Sequence, residues 1–231
     1  MTEGFMRVYD VDIGNGSKST SRCSRRIKVT TTSTNTGRLP AEIRFGLSWV
    51  VLVTIGFGLG LALGLQALWN LTEPLQRALG NTAGGALTAA AFGTIFGLCV
   101  GGAQAIAIRQ RLPSPLRWVA ASVIGCVVPM TLVIAIFLGY TQLSDEIGIL
   151  VAGSLIGLGM GIGQWLTVRN QGQKMLGWIL VSVAGMIVGW YLAFSLGQEG
   201  RELLAMAAGG LAVAAITGLG MVWLAGRSTI S

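Results

Sequence analysis

The sequence predicts an all-α integral membrane protein, a six-helix bundle built from three parallel helical-hairpin repeats. The prediction depends on an apolar composition, on six apolar runs of membrane-spanning length, and on a motif that recurs along the chain. Of the 231 residues, 52% are hydrophobic and only 11% are charged. A typical soluble domain has about 25% charged residues, so this composition is typical of a chain that lies in lipid.

Each of the six runs is long enough, at roughly 17–25 residues, to cross a hydrocarbon core. They cover approximately residues 46–69, 83–108, 117–140, 147–168, 176–196 and 203–225. The runs are apolar on all sides, which disagrees with the alternating pattern of a membrane barrel and favours helices that satisfy their own backbone. We therefore expect a transmembrane domain over 45–228, with hairpin repeats at about 46–110, 116–170 and 176–228.

The first 44 residues differ from the rest, because they are rich in Ser and Thr and poor in large apolar residues. Eight of the sixteen Lys and Arg lie in them: Arg7, Lys18, Arg22, Arg25, Arg26, Lys28, Arg38 and Arg44. A segment of this kind cannot bury enough apolar surface to order itself, so residues 1–44 are predicted to be a disordered basic cytoplasmic tail. One interpretation is that its cations only set the orientation of the protein in the membrane. The alternative is that residues 21–28 bind anionic lipid.

The remaining cations predict the orientation, since cytoplasmic loops carry the excess of Lys and Arg. One side of the membrane receives the tail together with Arg109, Arg111, Arg117, Arg169, Lys174 and Arg227. The opposite side receives only Arg77 and Arg201. Both termini are therefore expected to be cytoplasmic.

The recurring motif reads GLCVGGAQAIAIR at residues 97–109 and GLGMGIGQWLTVR at residues 157–169. A degraded third copy without Gln is predicted at residues 218–227, GLGMVWLAGR. The odd-numbered helices share a second pattern, in which Gly follows Trp by seven residues: Trp49 and Gly56, Trp118 and Gly125, Trp178 and Gly185. Similarity at a fixed period indicates an internal repeat, and a unit of two spans makes its copies parallel.

The motif supplies six candidate helix-packing or ligand contacts: Gly97, Gly101, Gln104, Gly157, Gly161 and Gln164. Small residues four apart allow helix backbones to approach closely. Each Gln follows the first glycine by seven residues, almost two turns, and so lies on the same face. The structural interpretation is an interhelical clamp, and the alternative is a lipid, a pigment or another ligand in the glycine grooves. The sequence identifies no cofactor.

A second set of residues lies near the predicted cytoplasmic boundary of the membrane. Trp and Tyr are enriched at membrane interfaces, and Arg at a helix end extends its guanidinium to the interface. The set is predicted to consist of interface anchors: Trp49, Arg109, Trp118, Trp165, Arg169 and Trp178.

The chain contains no histidine, and no acidic residue lies within an apolar run. Proton relays and ion-coupled transport use intramembrane charges, so their absence disfavours a pump or an antiporter. The sequence also has no Ser/His/Asp set, His/Glu zinc motif or phosphate loop. We therefore expect a non-enzyme with no nucleic-acid partner.

The glycine motif with its Gln-Trp-Leu-x-x-Arg ending resembles uncharacterised polytopic membrane proteins of bacteria, cyanobacteria among them. Gln164, Trp165, Leu166 and Arg169 match that ending in full, whereas the earlier copy has Ala105 in place of Trp. The resemblance covers the second to fifth helices. It implies a bacterial inner membrane or a thylakoid membrane, but neither an activity nor a site.

Two functions from different classes agree with these observations. The first is a non-catalytic accessory or scaffold subunit of a larger membrane complex, with the lipid bilayer and other membrane-protein subunits as its partners. The second is the substrate-binding membrane component of a small-molecule uptake transporter. The second needs an enclosed polar pocket in the outer half, for which the sequence offers Tyr140, Gln142, Tyr191 and Gln198.

Overall fold

The computed structural model describes residues 41–110, 114–139, 145–169, 175–197 and 200–226. Within them the chain forms six α-helices and no strand, which confirms the predicted fold class. The helices are α1 Ala41–Leu79, α2 Asn81–Ile108, α3 Pro115–Gly139, α4 Asp145–Val168, α5 Met175–Gly197 and α6 Glu202–Gly226. All six are long and apolar enough to cross a membrane, as an integral membrane protein requires. Residues 1–40 of the predicted tail lie outside the described residues, and residues 41–44 already belong to α1.

The six helices form a closed ring. Each packs against its neighbours in the chain, and α6 returns to pack against α1. Consecutive helices run antiparallel: Gly93 of α2 lies against Val127 of α3, while Gly97, further along α2, lies against the earlier residue Val123. The start of α1 and the end of α6 therefore lie at the same end of the bundle, which we call the terminal end.

Helix α1 is longer than its apolar run predicts. Its 39 residues extend for about 58 Å, whereas a hydrocarbon core is about 30 Å thick. Beyond the predicted run the helix is largely exposed and carries an ion pair between Glu73 and Arg77. The chain reverses at Gly80, whose φ of 82° lies in the left-handed region that favours glycine. The α1–α2 hairpin is therefore the longest of the three.

The outer surface of the ring is apolar. On α1 a stripe of large side chains, four residues apart, is 52–54% exposed: Leu47, Val51, Ile55, Leu59 and Leu63. Trp49, Val53 and Phe57 of the same helix point inward and are fully buried. A helix that is apolar towards both its neighbours and its surroundings is adapted to lipid rather than to water.

Aromatic side chains fill the centre of the ring away from the terminal end. Phe57 of α1 meets Phe96 of α2 edge to face, with ring centroids 5.4 Å apart. Trp190 of α5 reaches the same cluster, at 6.0 Å from Phe92 and 5.8 Å from Phe96. Since α2 and α5 are not neighbours in the ring, these side chains meet across its centre.

Candidate functional site

Gln104 and Gln164 lie side by side in the interior, near the terminal end. They are 2% and 1% exposed, and each lies four residues, or about 6 Å, before the last residue of its helix. Gln164 Nε2 donates a hydrogen bond of 2.6 Å to Gln104 Oε1. The two amides, which occupy matching positions sixty residues apart, are thus joined by a hydrogen bond across the bundle.

Two tryptophans donate hydrogen bonds to the amide pair. Trp118 Nε1 donates to Gln104 Oε1 at 3.3 Å, and Trp178 Nε1 donates to Gln164 Oε1 at 3.2 Å. An indole N–H can only donate, so the amide atom that faces each indole must be the oxygen. This chemistry fixes the orientation of both amides and leaves Gln164 Nε2 as the donor between them.

Ser122 is a further member of this network that the sequence did not single out. Gln164 Nε2 donates to Ser122 Oγ at 2.9 Å, and Ser122 Oγ donates to the Trp118 carbonyl at 2.9 Å. Its spacing could have identified it, because Ser122 follows Trp118 by four residues and so lies on the same helix face. We call these five residues the Gln–Trp network: Gln104, Trp118, Ser122, Gln164 and Trp178.

The third hairpin places Thr217 where the other two place Gln. Trp49 Nε1 donates to Thr217 Oγ1 and to the Ala214 carbonyl, both at 3.2 Å. The bond joins α1 to α6, in the same way that Trp118 joins α3 to α2 and Trp178 joins α5 to α4. Each odd-numbered helix is therefore attached by its tryptophan to the even-numbered helix that precedes it around the ring.

The backbone contacts give α6 the same register. A β-carbon on Gly157 would lie 2.6 Å from Val183 Cα, and one on Gly210 would lie 3.0 Å from Thr54 Cα. Gly210 precedes Thr217 by seven residues, as Gly157 precedes Gln164. The α6 segment that packs like the other two is therefore residues 210–217, GLAVAAIT.

The register of the predicted third copy, residues 218–227, is therefore wrong. Gly218 lies against the Trp49 ring, 2.9 Å from Cδ1 for an added β-carbon, and not against the α1 backbone. The prediction aligned α6 on the Trp and Arg at its end. Close backbone approach instead needs small residues, which Gly210 and Ala214 supply one turn apart.

The glycines of the first two copies lie in helix contacts within the chain. β-Carbons on Gly97 and Gly101 would lie 2.7 Å from Val123 Cα and 2.5 Å from Ser122 Cβ. On α4, a β-carbon on Gly161 would lie 3.0 Å from Ile179 Cα. The faces of α2 and α4 that carry these glycines are occupied by α3 and α5. They are therefore not open grooves for a lipid or a pigment.

Three predicted interface anchors are buried instead. Trp49, Trp118 and Trp178 are 0%, 2% and 5% exposed, so the prediction that they form an interfacial belt is wrong. They lie near the terminal end, and their N–H groups face buried acceptors inside the ring. Trp165 is half-buried, and its Nε1 has no hydrogen-bond partner among the described residues.

The two predicted arginine anchors lie at helix ends and are exposed. Arg109 caps the C-terminus of α2, and Arg169 follows the last residue of α4. Each lies five residues beyond the glutamine of its helix, about 7.5 Å along the axis if the helix continued. The charged groups therefore mark the edge of the bundle, while the amides lie inside it.

The Gln–Trp network can exchange hydrogen bonds but offers no ionisable group. In the described part of the chain, no three His, Cys, Asp or Glu side chains cluster so as to hold a metal. Comparison of the chain with protein-family models, with curated proteins and with solved structures finds no match.

Proposed function

We propose that the protein is a non-catalytic accessory or scaffold subunit of a larger membrane complex. The observation that carries this proposal is the Gln–Trp network, whose polar side chains bond to one another inside the ring. Towards the terminal end this network occupies the interior, and Gln164 is bonded to Gln104, Ser122 and Trp178. Away from that end the interior is occupied by packed aromatic rings.

A substrate-binding component would need the opposite arrangement. Small-molecule sites are concave and direct a few polar groups towards the ligand. Of the four residues that the sequence offered for such a pocket, Tyr191 is 47% exposed, and Tyr140, Gln142 and Gln198 lie outside the described residues. Tyr191 is therefore exposed, whereas the transporter hypothesis needs it in an enclosed pocket.

The contact surface of the subunit would be the outer face of the ring. The glycine faces of α2 and α4 already hold α3 and α5, so a partner helix would pack against exposed Leu, Ile and Val side chains. In lipid such contacts gain van der Waals packing rather than hydrophobic burial. With both termini in the cytoplasm, as the cation distribution favours, the long α1–α2 hairpin would project on the other side of the membrane.

The proposal can be tested by purifying the full-length protein from its native membranes in a mild detergent. We expect other membrane proteins to co-purify at a constant ratio through two successive columns. Recovery of the chain alone, or with an ATPase pair and a bound small molecule, would contradict the proposal. The latter result would support the transporter component instead.

Three outward variants would locate the contact. Val51, Ile124 and Leu180 lie one on each hairpin and are 53%, 63% and 58% exposed. Replacing each with Trp enlarges the outer face and leaves the interior unchanged. We expect one of the three variants to lose the co-purifying proteins at an unchanged melting temperature. The other two serve as matched controls.

A further inference from the structure

The ring repeats one polar arrangement at three places, and the third differs in chemistry. The first two hairpins present an amide to the interior, at Gln104 and Gln164. The third presents Thr217, which is 3% exposed and lies at the matching position of α6. The side chain of Thr is two heavy atoms shorter than that of Gln, so the third place has less side-chain volume and no amide N–H.

Ser182 is the residue that this difference leaves without a partner. It lies sixty residues after Ser122, and it is 5% exposed. Ser122 Oγ accepts from Gln164 Nε2 and donates to the Trp118 carbonyl. Ser182 Oγ is buried and forms no hydrogen bond with the described residues. A buried hydroxyl without a partner is costly, which makes it an indication of a ligand.

Gln164 Oε1 has room for a second donor at the same place. Gln104 Oε1 accepts two hydrogen bonds, from Trp118 and from Gln164, as an amide oxygen with two lone pairs can. Gln164 Oε1 accepts one among the described residues, from Trp178. The bond that corresponds to the amide–amide bond would come from position 217.

These groups lie on the three consecutive helices α4, α5 and α6. Ser182 follows Trp178 by one helical turn, and Trp178 bonds to Gln164. Ser182 and Gly185 are three residues apart on one face of α5, and a β-carbon on Gly185 would lie 3.3 Å from Thr217 Cγ2. Thr217 Oγ1, Ser182 Oγ and Gln164 Oε1 therefore border the junction of α4, α5 and α6.

We infer that this junction binds one water molecule, which takes the place of the amide that Thr217 lacks. The Thr217 hydroxyl already donates to the Val213 carbonyl and accepts from Trp49 Nε1. The water therefore donates to Gln164 Oε1 and to the second lone pair of Thr217 Oγ1, and it accepts from the unpaired Ser182 hydroxyl. Buried waters in proteins form about three hydrogen bonds, and one occupies roughly 30 Å³ in the liquid, a volume comparable to the two heavy atoms that separate Thr from Gln.

The direct test is water-to-protein magnetisation transfer, measured by solid-state NMR on the full-length protein in bilayers. We expect transfer to Thr217 and Ser182 that is several-fold faster than to Gln104 and Ser122. That pair lies at a similar depth and is the matched control. Thr217→Gln should abolish the transfer at Ser182, because the new amide displaces the water.

Thermal melting in detergent supplies a second readout. Thr217→Gln should raise the melting temperature by roughly 2–4 °C, the shift expected for about one net hydrogen bond in a protein of this size. The gain should disappear in the Ser182→Ala background. Absence of water transfer at Thr217, or equal transfer at both places, would overturn the inference whatever the melting shows. If Thr217→Gln does not fold, the transfer rates of the unmodified protein still show whether a water lies beside Thr217 and Ser182.

Discussion

Gln164 Nε2 lies 2.6 Å from Gln104 Oε1 and donates a hydrogen bond to it from the other side of the ring interior. The two residues belong to α2 and α4, which are not among the helix pairs in close contact, since α3 separates them in the ring. The bond therefore connects α2 to α4 across the ring interior, although these two helices are not neighbours in the ring. In lipid, where the hydrophobic effect does not drive helices together, such bonds and close packing hold a bundle together.

Gln164→Leu should destabilise the bundle by about 1–3 kcal/mol, because it leaves the buried Trp178 N–H without an acceptor. The measurement is the free energy of unfolding in detergent. Thr94→Val is the matched control, since the Thr94 hydroxyl donates to the Ala90 carbonyl of its own helix and, among the described residues, to no other helix. A Gln164→Leu variant as stable as this control would mean that the network contributes little to stability.

Gly157→Ala should also destabilise the protein, by about 1–3 kcal/mol, the usual range for overpacking. The new β-carbon would lie 2.6 Å from Val183 Cα, so α4 and α5 would have to separate. Gly102→Ala is the control on α2, because nothing lies within 4 Å of its β-carbon. There the higher helix propensity of Ala should leave the melting temperature unchanged or raised. Equal effects at the two glycines would contradict the packing described for α4 and α5.

Single-tryptophan variants can distinguish buried tryptophans from interfacial ones. Trp118 and Trp178 are 2% and 5% exposed, whereas Trp69 of α1 is 77% exposed. In bilayers of brominated lipid, fluorescence from Trp69 should be quenched strongly and fluorescence from Trp118 and Trp178 weakly. Equal quenching of Trp69 and Trp178 would restore the interfacial belt that the sequence predicts.

The helices themselves could be predicted from the sequence, because long apolar runs in lipid can form little else. The predicted run 147–168 compares with α4 at Asp145–Val168, and 83–108 with α2 at Asn81–Ile108. The end of α1 was missed because the apolar run stops near Trp69, whereas the helix continues to Leu79. Hydropathy measures what lipid tolerates, and a helix can continue beyond it.

The position of each site residue along its helix could be predicted from the sequence. The neighbour that each side chain contacts could not. The seven-residue spacing from glycine placed both glutamines on the packed side, and the structure buries them there. Whether they meet was left open, because a single sequence does not indicate which helices face one another. The tryptophans are predicted as anchors at the membrane interface, because their position along a helix does not indicate whether they face lipid or a neighbouring helix. Thr217 was missed because it shares only its spacing with Gln.

Reporter fusions test the orientation that the cation distribution predicts. Fusions after residues 112, 172 and 229 should read cytoplasmic, and fusions near residues 75, 144 and 200 should read external. The fusion near residue 75 lies in the long α1–α2 hairpin, whose Glu73 and Arg77 are exposed. The alternation follows from six spans, so one robust inversion would contradict the topology, and a reversal of all six would contradict only the orientation.

The most direct test of the bond between Gln104 and Gln164 is a double-mutant cycle, with Leu at each position alone and at both. Residues in contact couple by about 0.5–3 kcal/mol, whereas independent sites add to within about 0.3–0.5 kcal/mol. We predict a coupling in the former range, measured as free energies of unfolding in detergent, with unchanged small-molecule content by mass spectrometry. Additive effects, or folded single variants that lose a bound molecule, would contradict the claim that the two glutamines hold the hairpins together.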